Sequence, residues 1–165
     1  MSSTNKTITF GIPCYNSAEY MDKCILSILE GSDYADDVQI VIVDDGSTKD
    51  ETPAKADEWQ ARYPNNIKAV HQENGGHGMA VMKAVANADG AYFKNIDSDD
   101  WADGDALKAL LAQLRRFIEM DERSTWFSPT TSTSTSRTIP VTSLIIARCS
   151  PWARSSHGRT WATSR

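Results

Sequence analysis

Strand-like and helix-like hydrophobic patterns alternate along residues 7 to about 120. The pattern predicts strands at Thr7–Pro13, Ile67–His71 and Ala91–Ile96. Val38–Val43 is largely apolar and β-branched, which is typical of a parallel strand covered on both faces. Apolar residues at helical spacing predict helices after the first and fourth strands: Met21, Cys24, Ile25, Ile28 and Leu29, then Leu107, Leu110, Leu111, Leu114, Phe117 and Ile118.

Turn and cap residues separate these segments. We expect Asn16 or Ser17 to cap the first helix and Gly31 to end it. Thr48 is the expected cap of the second helix, which carries Pro53 early. After the break at residues 74–76, a helix rich in small residues is predicted over residues 79–88.

The resulting order, βαβαβαβα, predicts an α/β fold with a mostly parallel, Rossmann-like sheet and helices on both faces. In such sheets ligands bind beyond the carboxyl ends of the strands. Polar residues and one tyrosine lie just past those ends, so we predict a site formed by Tyr15, Asp44, Asp45, Asp97 and Asp99.

The sequence changes character at about Glu122. Residues 1–121 form the predicted α/β unit, whereas residues 122–165 are rich in Ser, Thr and Arg and include the low-complexity run Thr130–Ser136. This composition predicts a disordered tail.

An alternative reading of the tail is a shifted frame. If one base were lost after the codon for Glu122, synonymous codons would allow Arg123–Pro140 to be re-read as PVDLVLTNYVYEHVEDDP. Ser155–Ser164 could likewise be re-read as VFTWEDMGHF. Both strings resemble ordinary folded enzyme sequence, so the frame-shift hypothesis stands beside that of a genuine flexible tail.

Charge and composition limit the possible partners and the location of the protein. The net charge of -5 argues against a nucleic-acid partner. The longest aliphatic runs are far shorter than the roughly 20 residues of a membrane span, and Met1–Lys6 has no apolar secretory core. The cysteines lack metal-ligand spacing. We therefore expect reduced thiols and a cytoplasmic location, with the inner face of a membrane left open.

Two aspartates after the fourth predicted strand suggest a cation site. Asp97 and Asp99 are two residues apart and are followed by Asp100. Carboxylates in this arrangement suit Mg²⁺ or Mn²⁺ that also binds substrate phosphates. The alternative is that these acidic residues cap the helix that begins near Asp103.

Two other loops contain candidate binding groups. In the turn of residues 44–47, a carboxylate can accept a hydrogen bond from a base N–H, although a purely polar turn is the alternative. The glycine-rich residues 74–78 could approach a diphosphate, but such turns are common. His77 could act as a base, with a surface histidine as the alternative. Lys83, on the following helix, could reach phosphate, with a solvated lysine as the alternative.

The motifs Pro13-Cys14-Tyr15-Asn16, DDGS, NGG and DSDD, in this order and spacing, resemble those of family 2 inverting glycosyltransferases with the GT-A fold. The resemblance covers residues 7 to about 118. It implies the donor-binding part of an enzyme that moves a sugar from a nucleotide diphosphate, with uridine diphosphate (UDP) as the default. A glycan or lipid-linked acceptor in polysaccharide synthesis is also implied.

The resemblance also implies roles for individual residues. Pro13 and Tyr15 would line the base pocket, and Asp45 would accept the base N–H with Asp44 nearby. Asp97 would lie near ribose and metal, Asp99 would hold the metal, and Asp100 would face the sugar or support the site.

The family often has Arg-Asn on the helix after NGG. Here Val81-Met82 stand in that place, which puts the phosphate contact in doubt or moves it to Lys83.

The family places its catalytic base, often in a Glu-Asp pair, in the second half of the domain. Residues 123–165 contain no Asp or Glu. We therefore expect weak donor binding and slow or absent transfer.

Two other enzyme classes are alternatives. A nucleotidyltransferase would usually show a basic, glycine-rich loop after the first strand, and a phosphatase would have its aspartate pair at that place. A non-catalytic nucleotide-binding remnant fits the tail as written.

Overall fold

The computed structural model describes residues 6–123 and 147–148. The strands and helices follow the predicted alternation, which confirms the α/β assignment. In chain order they are β1 (Lys6–Cys14), α1 (Met21–Gly31), β2 (Val38–Asp45), α2 (Thr52–Arg62), β3 (Ile67–Gln72), α3 (His77–Ala86), β4 (Gly90–Asn95), α4 (Gly104–Arg123) and β5 (Ala147–Arg148).

The strands form one sheet in the order β3-β2-β1-β4-β5. β1 pairs in parallel with both β2 and β4, and β2 pairs in parallel with β3. The short β5 is antiparallel to β4. β1 and β2 are buried along their whole length, as expected for central parallel strands. The carboxyl ends of β1 to β4 therefore meet at one edge of the sheet.

Helices cover both faces of this sheet, as predicted. Ile40 and Ile42 of β2 belong to the larger core cluster, to which α1, α2 and α4 contribute side chains. Val41 and Val43 point to the opposite face, where Ala80 and other small residues of α3 pack. Successive side chains of β2 point to opposite faces because a strand has a two-residue period. Among the described helices, α3 packs on one face, and α1, α2 and α4 pack on the other.

The predicted caps of the first two helices are wrong. The side chain of Asn16 instead accepts hydrogen bonds from the N–H groups of Thr48 and Lys49, and Ser17 Oγ accepts the N–H of Tyr15. α1 begins later, after Tyr20, without a side-chain cap. Asn16 thereby joins the loops after β1 and β2, whereas the hydrogen bond from Tyr15 to Ser17 Oγ lies within one loop.

α1 ends at Gly31, as predicted, and this glycine also has a packing role. It is the last residue of α1, and it does not adopt a left-handed conformation. A β-carbon at this position would lie 3.0 Å from Leu107 Cδ2. Glycine therefore lets α4 approach α1 closely.

The end of α4 and the short strand β5 lie near and beyond the predicted boundary at residue 121. α4 continues to Arg123, beyond the expected end at residue 121, and Ala147–Arg148 pairs with Tyr92 and Phe93. The predicted disorder and the frame-shift hypothesis otherwise concern residues outside those described. Among the described residues, no helix combines the length and apolar character required to cross a membrane.

Replacing Gly90 with alanine is expected to destabilise the fold by about 1–3 kcal/mol or more. A β-carbon on Gly90 would lie 2.5 Å from the Thr9 nitrogen and 2.6 Å from the Ile8 carbonyl carbon, both backbone atoms of the central strand. Urea unfolding followed by circular dichroism measures the loss. Gly78→Ala is the control, because a β-carbon there meets no atom within 4 Å. Equal midpoints for Gly90→Ala and the wild type would contradict the prediction.

Candidate functional site

A cavity of about 360 Å³ opens at the carboxyl ends of the strands. Five of the residues predicted for the site line this cavity: Pro13, Tyr15, Asp45, Asp97 and Asp99. The complete lining is Pro13, Cys14, Tyr15, Ser17, Asp45, His77, Ala80, Asp97, Ser98 and Asp99. The fold therefore brings together side chains from the ends of β1, β2 and β4 and from the start of α3.

A larger hollow of about 630 Å³ lies at the opposite edge of the sheet. Lys6, Gln39 and Asn66 are among its lining residues, and none of the predicted site residues is. Size alone would favour this hollow. The smaller cavity is the better candidate because ligands of open α/β sheets bind beyond the carboxyl ends of the strands.

Hydrogen bonds join the loops that surround the candidate cavity. The N–H of Asn16 donates to Ser47 Oγ at 2.9 Å, which links the loops after β1 and β2. Ser98 Oγ, in the loop after β4, donates to Ser17 Oγ at 3.0 Å. The rim is therefore built from contacts between loops far apart in the chain.

Asp45 is buried at the inner wall of the cavity, with 3% of its surface exposed. Its carboxylate accepts hydrogen bonds from Gln72 Nε2 at 2.6 Å and from the N–H groups of Gly75 and Gly76, each at 2.8 Å. Burial raises the pKa of the Asp45 carboxyl, but these hydrogen bonds outweigh it and hold the pKa below the usual value. Asp45 is therefore held as an anion.

The glycine-rich loop has a different partner from the predicted one. The amides of Gly75 and Gly76 could approach a diphosphate according to the sequence, but they point at Asp45 instead. The loop before α3 is thereby fastened to the end of β2.

Asp44 lies outside the cavity lining and is almost completely buried. One carboxylate oxygen accepts the N–H of Ser47 at 3.0 Å, and the other is 3.2 Å from His71 Nδ1. Nε2 of His71 is 3.1 Å from Asp57 Oδ1. Burial lowers the pKa of His71, but its hydrogen bonds to Asp57 and Asp44 outweigh burial and raise it. His71 was not among the predicted site residues, because its pairing opposite Asp44 depends on the register of β2 and β3.

Asp97, Asp99 and Asp100 do not cap α4, which was the alternative role for these acidic residues. Asp103 caps α4 with its own side chain, since Asp103 Oδ1 accepts the N–H of Ala106 at 2.8 Å. Asp97 and Asp99 are exposed and line the cavity. Asp100 is exposed outside the lining, and its N–H donates to the Asp97 carbonyl.

The donor set at Asp97 and Asp99 fits an open cation site. Among the described residues, no group of three or more His, Cys, Asp or Glu side chains is arranged to hold a metal ion. Two accessible carboxylates beside a cavity would instead share a cation with oxygens of a bound ligand. Mg²⁺ commonly binds in that way, with one or two carboxylates and substrate phosphates.

Tyr15 and Lys83 differ in their relation to the cavity. Tyr15 lines it with a side chain that is half exposed, so its ring is accessible to a flat ligand. Lys83 lies in the last turn of α3 and is absent from the lining. The structure therefore does not bring Lys83 to the other candidate residues, and its phosphate contact remains a sequence-based prediction.

The sequence profile of a family described as "Glycosyl transferase family 2" matches residues 9–143. The chain belongs to glycosyl transferase family 2. The match includes every residue that lines the cavity, so the candidate site lies within the family region.

Similar proteins and solved structures agree with this membership. A chondroitin synthase of Escherichia coli is 33% identical over 113 residues, which is 68% of this chain and 16% of that protein. The structure of S. aureus TarS 1-349 in complex with UDP has 27% identity and a TM-score of 0.58, covering 67% of this chain and 32% of the other. The mannosyltransferase PcManGT from Pyrobaculum calidifontis, in complex with GDP-Man and Mn²⁺, has 28% identity and a TM-score of 0.56, covering 65% and 32%.

The family 2 region of this chain corresponds to only part of those proteins. The curated relatives are matched over 10% to 36% of their own lengths.

Proposed function

We propose that this chain binds a nucleotide-diphosphate sugar for transfer of the sugar to an acceptor hydroxyl with inversion, in glycan or polysaccharide synthesis. The observation that carries the proposal is the cavity in which Tyr15, Asp45, Asp97 and Asp99 meet. The TarS complex supports UDP as the nucleotide, and the chondroitin synthase relative supports a polysaccharide product. The acceptor would be a glycan or a lipid-linked sugar.

The nucleobase would bind between the ends of β1 and β2. Tyr15 would contact the base with its exposed ring, and Pro13 would line the same pocket. Asp45 would accept the base N–H. A carboxylate has about four lone-pair sites, and Oδ2 of Asp45 accepts only the Gly76 N–H within the described chain. This oxygen can accept a further hydrogen bond from a ligand.

The diphosphate would lie near the end of β4. Asp97 would bind near the ribose and, together with Asp99, would hold Mg²⁺ or Mn²⁺ against the phosphates. Such a cation stabilises the negative charge of a departing nucleoside diphosphate. Asp100 would support this loop, since its N–H already closes the turn on the Asp97 carbonyl. The Mn²⁺ in the PcManGT complex supports the choice of a divalent cation.

Transfer with inversion also needs a carboxylate base that removes the proton of the acceptor hydroxyl. Residues 123–165 contain no Asp or Glu, and the cavity carboxylates have other roles in this scheme. We therefore propose that this chain binds the donor but transfers the sugar slowly or not at all. The frame-shift hypothesis accounts for the missing base, because the re-read string VFTWEDMGHF contains a Glu-Asp pair.

Two other functions fit less well. A nucleotidyltransferase would usually have a basic, glycine-rich loop after β1, but Tyr15–Tyr20 contains neither glycine nor a basic residue. A plain structural domain would not require accessible carboxylates in a cavity. A nucleotide-binding remnant without activity remains compatible with the same site, and it differs from an enzyme only in transfer.

Calorimetric titration with UDP tests donor binding directly. We expect a dissociation constant in the range of about 1 μM to 1 mM with Mn²⁺ present, by analogy with typical Michaelis constants. Chelation of the metal should weaken binding by about 10-fold or more, since the diphosphate would then face Asp97 and Asp99 without a cation. The absence of binding at millimolar UDP with Mn²⁺ would refute the proposed function.

A further inference from the structure

His77 is the one basic side chain among the described residues that line the cavity. The same lining contains three carboxylates, those of Asp45, Asp97 and Asp99. A bound diphosphate would carry negative charge toward these carboxylates. A donor of hydrogen bonds beside these carboxylates would offset part of the resulting repulsion.

The position of the imidazole suits that role. Nε2 of His77 lies 3.9 Å from Asp97 Oδ1, which is too long for a hydrogen bond. The two groups therefore lie within ion-pair distance but make no hydrogen bond to each other. The side chain of His77 is 63% exposed, so the ring can turn toward a ligand without disturbing packing.

The first turn of α3 adds to this arrangement. His77 is the first residue of the helix, and the amides of Gly75 and Gly76 before it are occupied by Asp45. No acceptor among the described residues binds the N–H of His77 or Gly78. A β-carbon on Gly78 would meet nothing within 4 Å, so space for a ligand exists over this turn. Lys83, the other basic residue of α3, is outside the lining.

We propose that His77 is a specificity-determining residue that donates a hydrogen bond from its imidazole to a phosphate oxygen of the bound nucleotide diphosphate. This inference rests on the proposed function and adds a residue to it. Asp97 and Asp99 would act on the diphosphate from the β4 side and His77 from the α3 side. The contact selects nucleoside diphosphates over nucleosides, because uridine has no oxygen at that position.

The test compares UDP with uridine on the same variants, in the presence of Mn²⁺. His77→Ala should weaken UDP binding by about 10-fold, which is the effect of losing one hydrogen bond to a charged group. Uridine binding, followed by NMR titration, should change less than about 2-fold by the same reasoning. His77→Gln keeps an N–H donor and should recover most of the UDP affinity. Val85→Ala, in the last turn of α3 and outside the cavity, is the matched control.

The outcomes separate the two proposals. A wild-type chain that binds no UDP would overturn both the proposed function and the role of His77. Normal UDP binding by His77→Ala would overturn only the role of His77. An equal loss for UDP and uridine would also overturn it, since the residue would then act through the structure of the pocket. A loss at Lys83→Ala with none at His77→Ala would move the phosphate contact to Lys83.

Discussion

Asp99→Asn should abolish most of the metal-dependent gain in UDP affinity. The substitution keeps the size of the side chain but removes the negative charge that would hold the cation. In Mn²⁺ the dissociation constant should rise by about 10- to 100-fold or more, because even supporting residues of metal sites have effects of this size. With the metal chelated, UDP affinity should be equal to or slightly above that of the wild type, because one carboxylate that would face the diphosphate is then neutral. Calorimetric titrations of both proteins with and without Mn²⁺ measure the difference.

The control for this prediction is Asp105→Asn, which removes an exposed carboxylate from the first turn of α4 outside the cavity. It should leave UDP binding unchanged in Mn²⁺. Asp97→Asn should differ from Asp99→Asn, because the proposed ribose contact makes it weaken binding both with and without metal. If Asp99→Asn retained the full response to Mn²⁺, the assignment of Asp99 as a metal ligand would be wrong.

Restoring the shifted frame after Glu122 should convert a donor-binding chain into a transferase. The restored chain would gain the Glu-Asp pair of VFTWEDMGHF, and a positioned base contributes about 10²- to 10⁴-fold to a rate. We expect release of UDP from a UDP-sugar in the presence of an acceptor to rise by at least that factor. The coding DNA across Phe117–Ser128, compared with its source, decides whether a base is missing.

Two results would contradict that view. An intact reading frame in the source DNA would exclude the frame shift, and the tail would then be the natural one. Metal-dependent transfer by the present chain, abolished by Asp99→Asn, would show that a base exists without the restored segment. In the restored chain, replacing either residue of the Glu-Asp pair should reduce transfer while UDP binding remains.

The hydrophobic periodicity was sufficient to predict which strands and helices form and in what order. In β1, β2 and α1 the spacing of the apolar residues matches the side chains that the fold buries. Helix beginnings were less predictable. Asn16 and Thr48 have the chemistry of helix caps, yet they bond to each other's loops because the fold brings β1 and β2 side by side.

For the candidate site, the positions of several residues could be predicted from the sequence, but their contacts could not. Tyr15, Asp45, Asp97 and Asp99 could be placed at one edge because parallel strands end together. Their partners could not be predicted. The bonds from Gly75 and Gly76 to Asp45 depend on how the loop after β3 returns to β2. The role of His77 depends on the distance between α3 and the end of β4, which the sequence does not contain.

The attachment of the loop before α3 to Asp45 has a consequence for the energetics of ligand binding. Two successive backbone amides and Gln72 hold this loop on one buried carboxylate. The loop thus loses its conformational entropy during folding, at about 1–2 kcal/mol per residue, rather than when a nucleotide arrives. One wall of the cavity is preorganised, and the binding free energy is not reduced by the ordering of that wall.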